Sequence, residues 1–264
     1  MLLATVIFSF NACSDDDDNG SNNHLTGKLL TGITLSESGY DTYLNFRYAN
    51  GKLIEMICAD DEISGSYIFN YSGNTVTVVG EEYTQTFKLN NAGYVESATG
   101  GFGKKITFEY NKDSYLTKVR QQNDYSDEET SLFYDNEGNL ISANHIERDK
   151  YDGQETKNQV TFTPSNYPTR GKNFFFLGGD ICPLLGDLPD NFWTVYYAGL
   201  LGKDPKSLTS KIKIKENDSF EYERNFTYTF NNDGSVSSMV IDKNANNNES
   251  EYVPEWIKAT FVYE

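Results

Sequence analysis

The chain has 264 residues and a formal net charge of −17, from 39 acidic and 22 basic side chains. That charge repels phosphate backbones and excludes nucleic acid as a general partner. With 21 glycines, only 6 prolines and 14% aromatics, the composition is that of an ordered, turn-rich protein weighted toward β-structure.

Residues 1–12, MLLATVIFSFNA, are apolar except for Thr5, Ser9 and Asn11. The run suits a signal-peptide core and is too short to span a bilayer. Ala12 then precedes Cys13, and FNAC resembles the lipobox of bacterial lipoproteins, although no Lys or Arg precedes the apolar run. The resemblance implies that Cys13 is lipidated and becomes the mature N-terminus. Ser14, Asp15, Asp16, Asp17 and Asp18 follow, a run that resembles the serine-plus-acidic signal for surface export of Bacteroidetes lipoproteins. Mutually repelling carboxylates do not pack, so residues 13–24 read as an extended, hydrated tether. The expected setting is the outer membrane, lipid-anchored and exposed on the cell surface, with a periplasm-facing position as the alternative. Adjacent carboxylates on a tether lack the spaced loop of a calcium site, and neither a metal nor a cofactor is expected.

From residue 25 onward a turn motif recurs. YANGKL (48–53), YSGNTV (71–76), LNNAGYV (89–95), YNKDSYL (110–116), YDNEGNL (134–140) and FNNDGSV (230–236) each place a polar turn between an aromatic or aliphatic residue and an aliphatic one. Glycine occupies the turn at 51, 73, 93, 138 and 234, and Ser114 stands in its place in the fourth copy. The spacing of about 22 residues suits one β-hairpin per repeat. The flanking segments alternate with period two. Ile106, Phe108 and Tyr110 face away from Thr107 and Glu109. Leu44, Phe46 and Tyr48 oppose Tyr43, Asn45 and Arg47, and Phe226, Tyr228 and Phe230 oppose Thr227 and Thr229. One wet face and sequential short connections predict an all-β fold. The expected architecture is an antiparallel up-and-down meander curled into a partial or closed barrel, spanning residues 25–264 as one domain.

YDNEGNL resembles the YD repeats of the Rhs family, which build shells of β-hairpins. Taken together, lipobox, acidic tether, degenerate YD-like hairpins and a late insertion resemble a family of uncharacterised Bacteroidetes lipoproteins with a porin-like β-fold. The resemblance implies fold and location, not chemistry.

Between Gly138 and Gly234 the motif lapses. Residues 174–201, FFFLGGDICPLLGDLPDNFWTVYYAGLL, are rich in apolar and aromatic side chains but are broken by Asp and Pro, which excludes a membrane span. A helical insertion near 180–202 is predicted, capped at its start by Asp190 or Asn191 and ended at Gly202 and Pro205. Its apolar residues surround much of the circumference, so it is expected on or inside the barrel, with Phe192, Trp193, Tyr196 and Leu200 against aromatics of the meander. Core packing is the favoured reading of Trp193, Tyr196 and Tyr197, and a ligand-stacking platform is the functional alternative. YVPEWIKATFVYE (252–264) reads as the final strand, with Trp256 near its start and Phe261 and Tyr263 on one face.

Candidate catalytic groups are sparse. His24 lies in the tether, and His145 is expected to point outward from a strand. No nucleophile elbow, zinc-protease motif, phosphate loop or dinucleotide fingerprint occurs. Acidic runs occur at Asp60, Asp61 and Glu62 and at Asp127, Glu128 and Glu129, and read as turn and edge charge. Cys58 and Cys182 either pair or remain separate buried thiols. The predicted role is a non-enzymatic binding or interaction module whose ligand is a glycan, peptide or protein. A carboxylate-dependent hydrolase of glycan or peptide is the alternative. Transport through a membrane-spanning barrel is rejected, because the apolar strand faces have an internal partner in residues 174–201.

Overall fold

The computed structural model describes residues 28–37, 40–60, 64–81, 84–99, 104–170, 192–217, 220–244 and 256–264. Cys13, the Ser14–Asp18 run, His24, Asp61, Glu62, Cys182, Asp190 and Asn191 lie outside these residues. Sixteen antiparallel strands follow one another in chain order and close into a barrel. They are β1 (Leu30–Glu37), β2 (Tyr40–Ala49), β3 (Lys52–Ala59), β4 (Ser64–Ser72), β5 (Thr75–Val79), β6 (Thr84–Leu89), β7 (Val95–Thr99) and β8 (Lys105–Tyr110). The second half comprises β9 (Leu116–Gln122), β10 (Ser126–Tyr134), β11 (Leu140–Asp149), β12 (Glu155–Pro168), β13 (Ser207–Glu216), β14 (Phe220–Phe230), β15 (Val236–Asn244) and β16 (Trp256–Tyr263). A short helix, α1 (Phe192–Tyr197), lies in the β12–β13 connection.

Closure is made by β1 and β16, with Ile33 opposite Phe261 and Leu35 opposite Ala259. Beyond the ladder, the Leu29 and Glu264 backbones exchange hydrogen bonds of 2.7 and 3.0 Å. A closed barrel has no free edge, so Asp127, Glu128 and Glu129, which lie within β10 between β9 and β11, do not guard one, contrary to the sequence expectation.

The inner wall is apolar and the outer wall polar. Ile106 and Phe108 are buried while Lys105 and Glu109 are exposed; Ile212 and Ile214 are buried while Lys213 is exposed. Ion pairs run across the outer wall. Arg120 binds Glu109 at 2.5 Å and Glu129 at 2.8 Å, and Glu129 also takes Lys118 at 2.9 Å. Arg148 and Lys157 share Glu155, and Lys211 and Lys213 share Glu223.

Up-and-down alternation sends every even-to-odd connection to one rim. That rim carries all six repeat turns, the β12–β13 insertion and the described chain ends at Lys28 and Glu264. The turns at 90–94, 111–115, 135–139 and 231–235 are superposable in their bonding. In each, the first N–H donates to the fifth carbonyl at 2.7–3.0 Å and the fourth N–H to the first carbonyl. The fourth residue is left-handed, with φ of +84° at Gly93, +68° at Ser114, +87° at Gly138 and +82° at Gly234. Ser114 therefore adopts the glycine conformation its place in the repeat predicts. In the first three of these turns the leading Asn90, Asn111 or Asp135 accepts two further backbone N–H bonds through Oδ1.

A β-bulge follows five of the six turns and leaves Ile54, Glu96, Thr117, Ile141 and Ser237 without a register partner. Each bulge shifts the in–out alternation by one residue, and this corrects the expectation for His145. With Ile141 as the extra residue, Ala143 and His145 both turn inward. His145 is 3% exposed, and its Nδ1 lies 3.0 Å from Thr130 Oγ1.

The helix ends earlier than the predicted stop at Gly202 and Pro205. It ends at Gly199 (φ +75°), where Leu200 N–H donates to the Val195 carbonyl at 3.0 Å and Gly199 N–H to Tyr196 at 2.9 Å. That pair of bonds is a Schellman cap. Gly202 instead marks where the insertion crosses the β8–β9 turn; a Cβ there would overlap the Ser114 carbonyl. Phe192 stacks on Phe108, Trp193 meets Tyr67 edge-on and Tyr197 packs on Phe46, so α1 fills the lumen between β2, β4 and β8.

Candidate functional site

Two rims of unlike character bound the barrel. At the rim bearing the chain ends, the insertion is sewn to the repeat turns by backbone bonds. Val95 N–H donates to Leu200 (2.9 Å), Lys203 N–H to Ser114 (2.9 Å) and Lys206 N–H to Gly138 (3.1 Å). Five tyrosines brace the same rim by donating to a carbonyl on the preceding strand. Tyr48 reaches Leu30, Tyr71 Leu53, Tyr110 Val95, Tyr134 Leu116 and Tyr228 Thr209, at 2.7–3.0 Å. Burial pushes the Tyr48 and Tyr71 phenols up to about 12, and the other three are raised for the same reason.

Under the insertion lies a small cleft between Leu116, Tyr134, Leu140, Tyr196 and Asp204. Among the described residues, Asp204 is the only carboxylate lining it, and it accepts the Tyr196 hydroxyl at 2.9 Å. Among the described residues, this cleft does not hold two carboxyl groups facing each other, the arrangement that glycoside hydrolysis requires. The acidic run at 127–129 is divided among three tasks. Asp127 pairs with Lys150 at 3.0 Å. Glu128 accepts from Gln121 and Ser126 at 3.0 and 2.9 Å. Glu129 belongs to the outer ion-pair row. Among the described residues, no group of three or more His, Cys, Asp or Glu could hold a metal ion. Cys58 is a free, half-buried thiol, raised by burial and by the Asp60 carboxylate.

The sequence-predicted aromatics are packed and not displayed. Tyr196 and Tyr197 are buried, and Trp193 is half-buried against Tyr67. The displayed aromatic pair lies at the opposite rim, on neighbouring loops. Tyr125 (62% exposed) is in the β9–β10 loop and Tyr151 (80% exposed) in the β11–β12 loop. Their rings are 30° from parallel with centroids 6.1 Å apart.

Local chemistry holds both in place. Asn123 Oδ1 accepts the N–H groups of Tyr125 and Ser126, each at 2.7 Å. Asp149 Oδ1 accepts those of Tyr151 (2.6 Å) and Asp152 (3.2 Å), and Gly153 closes the turn at φ +72°. Lys150 then clamps loop to loop. Its N–H donates to the Tyr125 carbonyl at 2.8 Å, and its ammonium to the Asn123 carbonyl at 2.6 Å. Sequence reasoning passed over this pair because NDYSD and DKYDG read as ordinary turns. The available signal was a tyrosine inside each polar loop, outside any alternating pattern.

A family model described as a domain of unknown function (DUF4595) with porin-like fold matches residues 46–238. Comparison with curated protein sequences returns no match. Two similar crystal structures are both of porin-like proteins. That from Bacteroides uniformis ATCC 8492 has 19% identity and a TM-score of 0.64, and the match covers 89% of this chain and 98% of the other. That from Bacteroides vulgatus ATCC 8482 has 11% identity and a TM-score of 0.67, covering 90% and 99%. At these identities the likeness is one of fold.

Proposed function

The chain belongs to the DUF4595 family, whose domain has a porin-like fold and no known function, and from that premise we propose that it is a lipid-anchored envelope protein acting as a non-enzymatic binding module. The carrying observation is the polarity of the barrel. The described chain begins at Lys28, which pairs with Asp233 at 2.7 Å on the insertion-bearing rim. A tether running back to a lipid on Cys13 therefore leaves from that rim, and the rim with Tyr125 and Tyr151 is turned away from the membrane. The charged outer wall supports a barrel standing in water beside the membrane, since Lys and Arg on a lipid-facing strand are costly. The helix α1 packed in the lumen favours binding at the rim over passage through it. Dispersal of the acidic groups favours binding over hydrolysis.

Metabolic labelling with palmitate should mark the wild-type protein and not Cys13→Ala. Protease treatment of intact cells should remove the labelled protein. An unlabelled wild type overturns the anchor; a labelled protein resistant to the protease overturns surface exposure and favours the periplasm-facing position.

A further inference from the structure

We propose that the Tyr125–Tyr151 pair is a docking surface for cationic side chains, arginine or lysine, of a partner polypeptide. The proposal deepens the binding-module reading and rests on the rim opposite the chain ends being the presented one.

Three observations carry it. Two large aromatic faces stand in water, 62% and 80% exposed, where they contribute little to the core. The loops bearing them are fixed by the Asn123 and Asp149 turns and by the Lys150 clamp, so the faces are set before a partner arrives. The charge around them is negative: Asp124 precedes Tyr125, Asp152 follows Tyr151, and the nearby Lys150 ammonium is already taken by Asp127 and the Asn123 carbonyl. Asp124 is exposed and pairs with no cation among the described residues. A cation over a tyrosine face is attracted by the ring quadrupole, and a neighbouring carboxylate completes the pairing. A saccharide also stacks on tyrosine, but the charged side chains directly beside the two rings that make no ion pair among the described residues are the carboxylates of Asp124 and of Asp152, whose Oδ1 accepts the Gln154 N–H at 2.8 Å, and a cation matches that charge where a neutral hydroxyl does not.

The test is calorimetric titration of the full chain with capped tetra-arginine, at two salt concentrations. The wild type should bind. Combined Tyr125→Ala and Tyr151→Ala should weaken binding at least about tenfold without altering net charge. Combined Tyr125→Phe and Tyr151→Phe should keep it, because the ring face is retained. Asp124→Asn should weaken it and flatten its salt dependence. Equal binding by wild type and the alanine pair overturns the proposal, leaving only attraction to a chain of charge −17. So does loss of binding in the phenylalanine pair. Absence of tetra-arginine binding, together with tyrosine-dependent binding of neutral maltohexaose, replaces it with a saccharide site. Failure of palmitate labelling removes the anchored reading and leaves this titration interpretable.

Discussion

Ser114 holds a φ of +68° at a position where the other repeat turns use glycine. An L-residue pays about 1–2 kcal/mol for the left-handed conformation, whereas glycine pays with unfolded-chain entropy, roughly 0.5–1 kcal/mol. Ser114→Gly should therefore stabilise the protein by up to about 1 kcal/mol. Gly138→Ala should destabilise it by roughly 2 kcal/mol, because the left-handed strain is joined by overlap of the new Cβ with the Tyr115 ring. Urea midpoints of the two variants check both signs. The turn position of Ser114 was legible because its neighbours in the repeat spell out the conformation. The direction of His145 was not. It depends on one unpaired residue, Ile141, and a bulge leaves no local mark in the string of side chains. A one-residue error in phase exchanges every inward and outward assignment beyond it. Tyr125 and Tyr151 were illegible for another reason: their adjacency exists only through the pairing of β10 with β11.

At the scale of elements, the tyrosine ladder and α1 both act on the rim that bears the chain ends. The ladder predicts alkaline behaviour with a definite sign. An unfolded tyrosine ionises near pH 10, and Tyr48 and Tyr71 are pushed up to about 12 in the fold. The folded state holds these protons more tightly. Its stabilisation is complete below about pH 10 and is lost as pH rises toward 12. Phenolate absorbance and loss of β-sheet circular dichroism should therefore rise together in that window. Tyr71→Phe removes one hydroxyl-to-carbonyl bond and should cost about 1 kcal/mol while leaving the fold intact. The helix was predicted from apolar density, and its burial follows from that density. Its early end does not, because Gly199 and Gly202 are equally good stops by composition, and tertiary bonding of Leu200 to Val95 selects the first. Leu201 is buried where the chain leaves α1 for the rim. Leu201→Ala should cost about 3 kcal/mol and loosen the insertion, giving faster amide exchange at Lys203 and Lys206 than at β3 or β15.

For the whole molecule, the repeat spacing and period-two alternation were enough to read an up-and-down meander. Closure was left open, because pairing of β1 with β16 joins residues at least 220 apart and no local pattern encodes it. Polarity of the barrel was likewise hidden until strand count and direction were known: sixteen strands, an even number, return the C-terminus to the rim where the chain entered. That parity has a mechanical consequence. If a partner is held at the far rim and a lipid behind Lys28, as proposed above, the barrel is pulled along its strands. The load enters β1 at Leu30, and its ladders to β2 and β16 resist in shear, with many hydrogen bonds stressed at once. Pulling between the N-terminus and a handle at position 151 should require a clearly higher rupture force than pulling between the N- and C-termini. In the second geometry Leu29 and Glu264 are neighbours, and β1 and β16 open one bond at a time from their shared end. The seam that closes the barrel is thus strong along the line from the N-terminal rim to the far rim, the direction in which the proposed anchor and partner would load it, and weak when opened from its shared end.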